Sequence, residues 1–356
     1  MKKIVKGIVG FLLTCILVIA VYVAYVFISY YRVDDKQSVS VRQFSNNQQV
    51  QVNQSYRIAS ANLGFGAYSD DYSFFMDGGS ESRAYSEKAV KKNIKGSLKT
   101  LESLNANFVF CQEVDVDGTR SYHVDEDEIL QNGFKDYSST WTQNYDSPYL
   151  FYPLSCPHGK NKSGLSTFSQ FQIQKATRRS LPIETGLSKF MDLDRCYVKQ
   201  EIEVSNGKKL ILYNIHLSAY TTDASTSNKQ LIQLCKDMNS EAEKGNYVIA
   251  GGDFNKSLIE NSKEIFDNTQ EDTWAKPIDT NLIPDTLSLV APYDESNPTP
   301  SCRNADKPYD KKTSTTYLID GFIVSNNVTV TEAKVKDNQF KYSDHNPVYM
   351  DFTLNE

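Results

Sequence analysis

Six short apolar segments, spread over nearly three hundred residues, each carry polar side chains of the kind that do chemistry. They are Asn62 in ASANLGFG, Glu113 in FCQEVD, His216 in YNIHLSAY, Asp253 with Asn255 in GGDFN, Asp320 in YLIDGFIVS, and Asp344 with His345 in YSDHNPV. A lone carboxylate at a strand end is ordinarily a turn or cap residue, and a lone histidine in an apolar strand is ordinarily a satisfied core residue. Six coincidences in one chain constrain the fold more tightly. Strand ends on one edge of a sheet sandwich meet at a cleft, however far apart they are in sequence. Each group is therefore expected at the C-terminal end of its strand or in the loop just after it.

The intervening segments alternate between strand and helix patterns. YRIASANLGFG reads as a strand entering a Gly-rich loop, SEKAVKKNIKGSLKTLESLNA as a helix with Val90, Ile94, Leu98, Leu101 and Leu104 on one face, and NFVFCQEVD as a buried strand. Further strands are expected at 164–179, 195–204 and 209–217, the last two joined by the turn signal SNGKK. A helix over 224–244 with Leu231, Leu234, Cys235, Met238 and Ala242 on one stripe feeds the strand that ends in GGDFN. Residues 256–313, with NPTPSCRNADKP, read as irregular loops and short helices, and TYLIDGFIVS and HNPVYMDFTL as closing strands. Mixed strands with hairpins and interleaved helices point to an α/β sandwich of two packed sheets between helical layers. A doubly wound dinucleotide fold fits less well, because GFGAYSDD is not the glycine fingerprint.

Gly7 to Tyr31 is uncharged over 25 positions, long enough as a helix (roughly 37 Å) to cross a hydrocarbon core of about 30 Å. Lys2, Lys3 and Lys6 precede it, while Arg32, Asp34, Asp35 and Lys36 follow with no net charge, so the positive-inside bias places residues 1–6 in the cytoplasm and the remainder outside. A cleaved signal peptide is the rival reading, though its apolar stretch is usually shorter. Residues 32–54 are polar and read as a linker, and 55–356 as the catalytic domain. Without the three N-terminal lysines, 35 Lys+Arg face 44 Asp+Glu, which disfavours nucleic-acid binding by phosphate neutralisation alone. Five cysteines beyond the anchor, with no C-x-x-C pair, indicate neither a disulfide framework nor a structural zinc site. One bridge, Cys156 to Cys196, is worth testing.

The chemistry that uses this residue set is metal-assisted hydrolysis of a phosphate ester. Glu113 and Asn62 offer hard oxygen ligands suited to Mg²⁺, with Asp344 helping to hold the metal. Asp253 can orient and deprotonate the attacking water while Asn255 donates to a phosphate oxygen. His216 and His345 add positive charge or a proton, and Asp320 can fix the tautomer of His345.

At SANLGFG, CQEVD, NIHLSAY, GGDFN, LIDGFIV and SDHNPV, in that order over about 300 residues, the sequence resembles the endonuclease/exonuclease/phosphatase superfamily. That group contains deoxyribonuclease I, apurinic endonucleases, bacterial neutral sphingomyelinases and inositol phosphatases. The resemblance implies a four-layer α/β sandwich and Mg²⁺-dependent phosphoester cleavage, with Mn²⁺ or Ca²⁺ as alternatives. It also implies metal roles for Asn62, Glu113 and Asp344, water activation by Asp253, phosphate contacts from Asn255 and His216, and a catalytic His345 backed by Asp320. YSFFMDGGSESRAYS and VDGTRSYHVD resemble a membrane-anchored bacterial branch. Arg83, Arg120 and Tyr122, in loops after the first two motif strands, and Lys160 in PHGKNKSGLSTFS are candidate substrate contacts. Three functions remain open: an extracytoplasmic phosphodiesterase, with a sphingomyelinase-like phospholipase C as its most concrete form; a surface nuclease; and a binding protein with a silent site. No aromatic hairpin for lipid insertion is evident. A monomer with no protein partner is expected.

Overall fold

The inward positions of the strands change character along their length, and that change places the site. In a computed structural model, residues 2–45, 47–186, 189, 194–219, 225–266 and 274–356 are described. The elements run α1 (Lys2–Ile28), β1 (Ser55–Asn62), α2 (Glu87–Glu102), β2 (Phe108–Gly118), α3 (Glu126–Gly133), β3 (Ser138–Asp146), β4 (Asn161–Ser169), β5 (Lys175–Ser180), β6 (Cys196–Glu203), β7 (Lys209–His216), α4 (Ser225–Ala242), β8 (Tyr247–Asp253), β9 (Leu287–Val290), β10 (Cys302–Arg303), β11 (Thr316–Tyr317), β12 (Asp320–Ser325), β13 (Val328–Val335) and β14 (Val348–Leu354). One six-stranded sheet has the order β13-β14-β1-β2-β4-β3, the other β5-β6-β7-β8-β12-β9. In each, a parallel pair joined through a helix (β1 and β2 by α2, β7 and β8 by α4) is flanked by antiparallel neighbours.

Alternate residues of a strand face opposite sides. Tyr56 and Ile58 of β1, Phe108 and Phe110 of β2, Leu210 and Leu212 of β7, and Tyr247 and Ile249 of β8 fill the space between the sheets. Their neighbours Ala59, Ala61 and Val109 instead face α2 and α3, and Ile211, Tyr213, Ile215, Val248 and Ala250 face α4. Helix α2 begins where Ser86 Oγ accepts the Ala89 N–H at 3.1 Å, and buries Val90, Ile94, Leu98 and Leu101 on one stripe. Each such side chain contributes about 1.5–3 kcal/mol on burial, so the four-layer order follows from the alternation itself. Toward one edge the inward series turns polar: Ser60 and Asn62 in β1, Gln112 in β2, Asn214 and His216 in β7, Asp253 in β8.

The structure is the two-sheet sandwich flanked by helices that the sequence predicts. Four readings change. The strand expected over 164–179 is two strands, β4 and β5, separated by residues 170–174. The irregular 256–313 stretch contributes an edge strand, β9, to the second sheet. All six cysteines are unpaired, so Cys156 and Cys196 form no bridge; Cys196 is buried and Cys156 exposed. The described residues of the expected linker, 33–45 and 47–54, run along the domain. Arg42 exchanges backbone bonds with Ser139, Val39 N–H donates to Ala176, and Val50 is fully buried between the sheets. Val39, Val41, Val50 and Val52 are the residues of that stretch that join the core, and its polar average hid them.

Candidate active site

The polar groups meet at one edge, though not as the sequence placed them all. Asn62, His216 and Asp253 end parallel strands. Asp320 instead opens β12, and Asp344 with His345 lies in the loop before β14. The physical reason is strand direction: β12 and β14 run antiparallel to β8 and β1, so their starts lie beside the ends of those strands. In the register, His216 is opposite Asp253 and Asp253 is opposite Asp320, a row of three across β7, β8 and β12.

Backbone geometry aims the groups. Glu113 sits in a register irregularity between β2 and β4 with φ +52°, which turns it out of the strand alternation, and Asn255 has φ +51°. Left-handed backbone at a non-glycine residue costs on the order of 1–3 kcal/mol and persists where the surroundings enforce it. The glycines before Asp253 permit close packing. A Cβ on Gly251 would lie 2.6 Å from the Phe322 ring, and one on Gly252, at φ +146°, 2.0 Å from the Ile215 carbonyl oxygen.

The groups form one network. Asn62 Nδ2 donates to Glu113 Oε1 and Asp253 Oδ2, both at 3.1 Å, while its Oδ1 accepts the Gly64 N–H at 3.0 Å. Asp253 Oδ1 accepts the Asn255 N–H at 2.8 Å, and Asn255 Nδ2 donates to the Leu217 carbonyl. His345 Nδ1 is 2.8 Å from Asp320 Oδ2, and its Nε2 is 3.8 Å from Asp253 Oδ2; His216 Nε2 is 3.6 Å from the same oxygen and 3.9 Å from Glu113 Oε1. Burial, then the facing Asp320, pushes Asp253 up to about 7. Burial also raises Asp344 to about 6; His345 opposes that rise and Glu113 adds to it. Burial alone would lower His345, but Asp320 overrides it and holds the imidazole protonated well above its ordinary range. Burial keeps His216 neutral.

A cleft of about 410 Å³ opens over these groups, lined by Glu113, His216, Asp253, Asn255, Asp344 and His345. Its walls, none of whose side chains was a candidate site residue, include Phe65, Tyr68, Phe74, Trp274 and Arg195. Of the four candidate substrate contacts only Arg120 lines it. Its guanidinium is forked onto buried Asp115 at 3.0 and 2.8 Å and lies 3.8 Å from the centre of the Phe65 ring. Arg83 donates to the Pro157 carbonyl, Tyr122 is exposed beside Tyr85, and Lys160 lines a different crevice. Three supporting residues escaped the sequence reading. Ser301 Oγ donates to Asp320 Oδ2 at 2.7 Å, Ser343 Oγ donates to the Asn62 carbonyl at 2.8 Å, and Gln112 bridges the sheets to Asn214 at 2.8 Å. An inward polar residue one step before a motif residue is the signal that would have found Gln112. Ser301 lay in a loop with no periodicity.

Beneath Arg120, Glu126 is fully buried. Its Oε2 accepts the Asp115 N–H at 3.0 Å, its Oε1 has no partner, and burial raises its proton affinity well above the ordinary carboxyl range. A raised folded-state value means the native state holds a proton that the unfolded chain releases. Stability is then expected to decline from about pH 4.5 upward, at up to about 1.4 kcal/mol per pH unit, until the folded group ionises. Urea unfolding of Glu126→Gln at several pH values should show that decline flattened.

A family model described as Endonuclease/Exonuclease/phosphatase family 2 matches residues 166–351, more than half of the 356 residues, and the chain belongs to that family. Its members are phosphoesterases and nucleases, generally dependent on a divalent metal, which supports a hydrolase. No curated protein matches the sequence significantly. Among solved structures, an endonuclease/exonuclease/phosphatase from Beutenbergia cavernae superposes with a TM-score of 0.58 at 13% identity, covering 85% of this chain and 72% of the other. The human Nocturnin catalytic domain with bound sulfate gives 0.52 at 17%, covering 85% and 95%. D. rerio TDP2 complexed with single-strand DNA product gives 0.52 at 15%, covering 85% and 100%. At these identities the likeness concerns the fold.

Proposed function

We propose that the chain is a membrane-tethered, Mg²⁺-dependent phosphodiesterase acting outside the cytoplasm, with α1 as the tether. The observation that carries the reaction class is the row His216, Asp253, Asp320 with His345 and Glu113 closing on it. It supplies a proton acceptor, a proton donor and hard oxygen ligands within one cleft.

In this reading Asp253 takes the proton of the attacking water, for which an affinity near 7 is well matched. His345, protonated and held through Nδ1 by Asp320, delivers a proton to the leaving oxygen through Nε2. Asn255 and neutral His216 donate to the phosphoryl oxygens. Glu113, Asn62 and Asp344 are the hard-oxygen groups suited to a divalent cation, and mutual repulsion between Glu113 and Asp344 favours a cation between them. Asn62 turns its amide nitrogen to Glu113 and Asp253, so in this arrangement it steadies Glu113 and the two carboxylates are the ligands. Asp253, Asp320 and His345 also offer ligand atoms within 4.8 Å of one another, but there the imidazolium already supplies the positive charge. Held by Glu113 and Asp344, a cation would polarise the phosphoryl group and neutralise its charge.

For the substrate we favour a phospholipid, because α1 is long and apolar enough to cross a bilayer. A single-stranded nucleic acid is the second reading, favoured by the aromatic walls of the cleft, on which bases can stack. Full-length protein in detergent should hydrolyse a generic aryl phosphodiester with Mg²⁺ and lose that activity in chelator. Sphingomyelin and phosphatidylcholine vesicles against single-stranded DNA then separate the substrates. Activity undiminished by chelator overturns the mechanism, and cleavage of DNA without lipid overturns the substrate.

A further inference from the structure

The loop between β3 and β4 is uncharged from Ser147 to Pro157 and carries Tyr149, Leu150, Phe151, Tyr152 and Leu154. Among the described residues outside α1, eight large apolar side chains are exposed, and three of them fall here: Phe151 at 49%, Tyr152 at 70% and Leu154 at 84%. The loop is not slack. Leu150 and Gly159 exchange backbone bonds at 3.0 Å across its base, and Ser82 and Arg83 donate to the carbonyls of Cys156 and Pro157 on its return limb. A loop closed and tied in this way holds its apolar tip outward, where water is an unfavourable neighbour.

The tip lies against α1. Tyr25 Oη accepts the Tyr149 N–H at 3.0 Å, Tyr22 Oη donates to the Tyr149 carbonyl at 3.2 Å, and the Tyr22 and Phe151 rings meet edge to face at 5.2 Å. Tyr22 is six residues before the end of α1 at Ile28, about 9 Å along the helix axis. The polar interface of a bilayer is only roughly 5–8 Å deep on each side. If α1 spans the membrane, the Phe151 contact lies near the boundary between headgroups and hydrocarbon. Aromatic side chains favour that depth. From there a file of rings leads to the site: Tyr152 packs on Phe75 at 5.6 Å, and Phe75 on Phe74 at 4.8 Å, a wall of the cleft.

We propose that residues 149–154 form a membrane-contact surface, inserted at the bilayer interface beside α1, that seats the cleft mouth against the lipid surface. This rests on the reading of α1 as a membrane span, and it assigns the occupant of the exposed patch as lipid rather than a second protein. Lys160, with Ser29 and Tyr31, lines a crevice of about 240 Å³ between the base of this loop and the end of the helix, at the level expected for headgroup phosphates; Asp146 shares that crevice.

The test uses the full chain reconstituted in phosphatidylcholine vesicles, with Cys15 and Cys156 replaced by serine and an environment-sensitive fluorophore on Leu154→Cys or, as a control on the exposed face of α2, Lys95→Cys. The probe at 154 should lose most of its emission to nitroxide-labelled lipid and resist aqueous iodide, with the probe at 95 behaving oppositely. Iodide quenching at 154 equal to that at 95 overturns the proposal. Shielding from both quenchers also overturns it, since the patch is then covered by protein. The link to the cleft is read by Leu154→Asp, expected to slow hydrolysis of vesicle lipid roughly tenfold while sparing a soluble aryl phosphodiester. Unchanged vesicle hydrolysis by that variant overturns the link. A wild-type protein that hydrolyses neither substrate removes the proposed function, while the probe depths still decide the membrane contact.

Discussion

Asp253→Asn is expected to lower turnover of an aryl phosphodiester by roughly 10²–10⁴-fold while leaving the protein as stable as the parent, or more stable, at pH 8. The first half follows from geometry. Asp253 is the group on which Asn62, His216, His345 and Asn255 all close, and an amide cannot accept a proton from water. The second half follows from the cost of the carboxylate. Burial and the facing Asp320 hold its affinity at about 7 against an ordinary 3.8. The native state therefore binds a proton that the unfolded chain has already lost. Between those two values stability falls as pH rises, by about 1.4 kcal/mol for each pH unit. Asparagine removes that penalty and keeps an oxygen to accept the Asn255 N–H. Thermal melts and kinetics on the same samples, the melts in chelator so that cation binding does not enter, check both halves. A variant that loses activity and stability together would mean that Asp253 holds the fold rather than the reaction.

The legible part of this molecule was its strand chemistry. Asn62, His216 and Asp253 stand at the polar end of inward series such as Leu210, Leu212, Asn214, His216, where a period of two persists while the residue type changes. Such a pattern can be read one strand at a time. What could not be read was direction. HNPVYMDFTL looks the same whether its motif begins or ends the strand at the cleft, and pairing with β1 over nearly the whole chain length decides it. Asn62, His216 and the Asp253 of GGDFN were therefore placed correctly at strand ends, while Glu113 lies within β2 and Asp320 and the Asp344–His345 pair stand at or just before the starts of their strands.

Loops were the illegible part. Ser301, which holds Asp320, and the 149–154 tip both lie where no periodicity exists. Residues 149–154 drew no reading from the sequence, in which no aromatic hairpin was evident; only the reciprocal Leu150–Gly159 bonds and the contact with α1 turn them into an exposed apolar tip. Averaging over a window likewise hid Val39, Val41, Val50 and Val52 within a polar stretch.

Asp115→Ala should destabilise the domain by about 3–5 kcal/mol, because it leaves the Arg120 guanidinium buried without its partner. Asp115 is fully buried and Arg120 nearly so; Asp115 Oδ2 also accepts from Ser121 Oγ at 2.8 Å. Burial alone would lower the affinity of Arg120 for its proton, and Asp115 more than offsets this; the variant loses that offset, yet a guanidinium stays protonated at neutral pH, so the charge is left buried and unpaired. At roughly 2–4 °C per kcal/mol for a domain of this size, the melting temperature should fall on the order of 10 °C. The Asp115→Ala, Arg120→Met pair should recover much of the loss, since removing both charges removes the uncompensated one. This also decides between the two roles open to Arg120. As a substrate contact it would change KM and leave the melt unmoved. As the strut beneath Phe65 it would move the melt first, with activity following only as the aromatic wall of the cleft shifts.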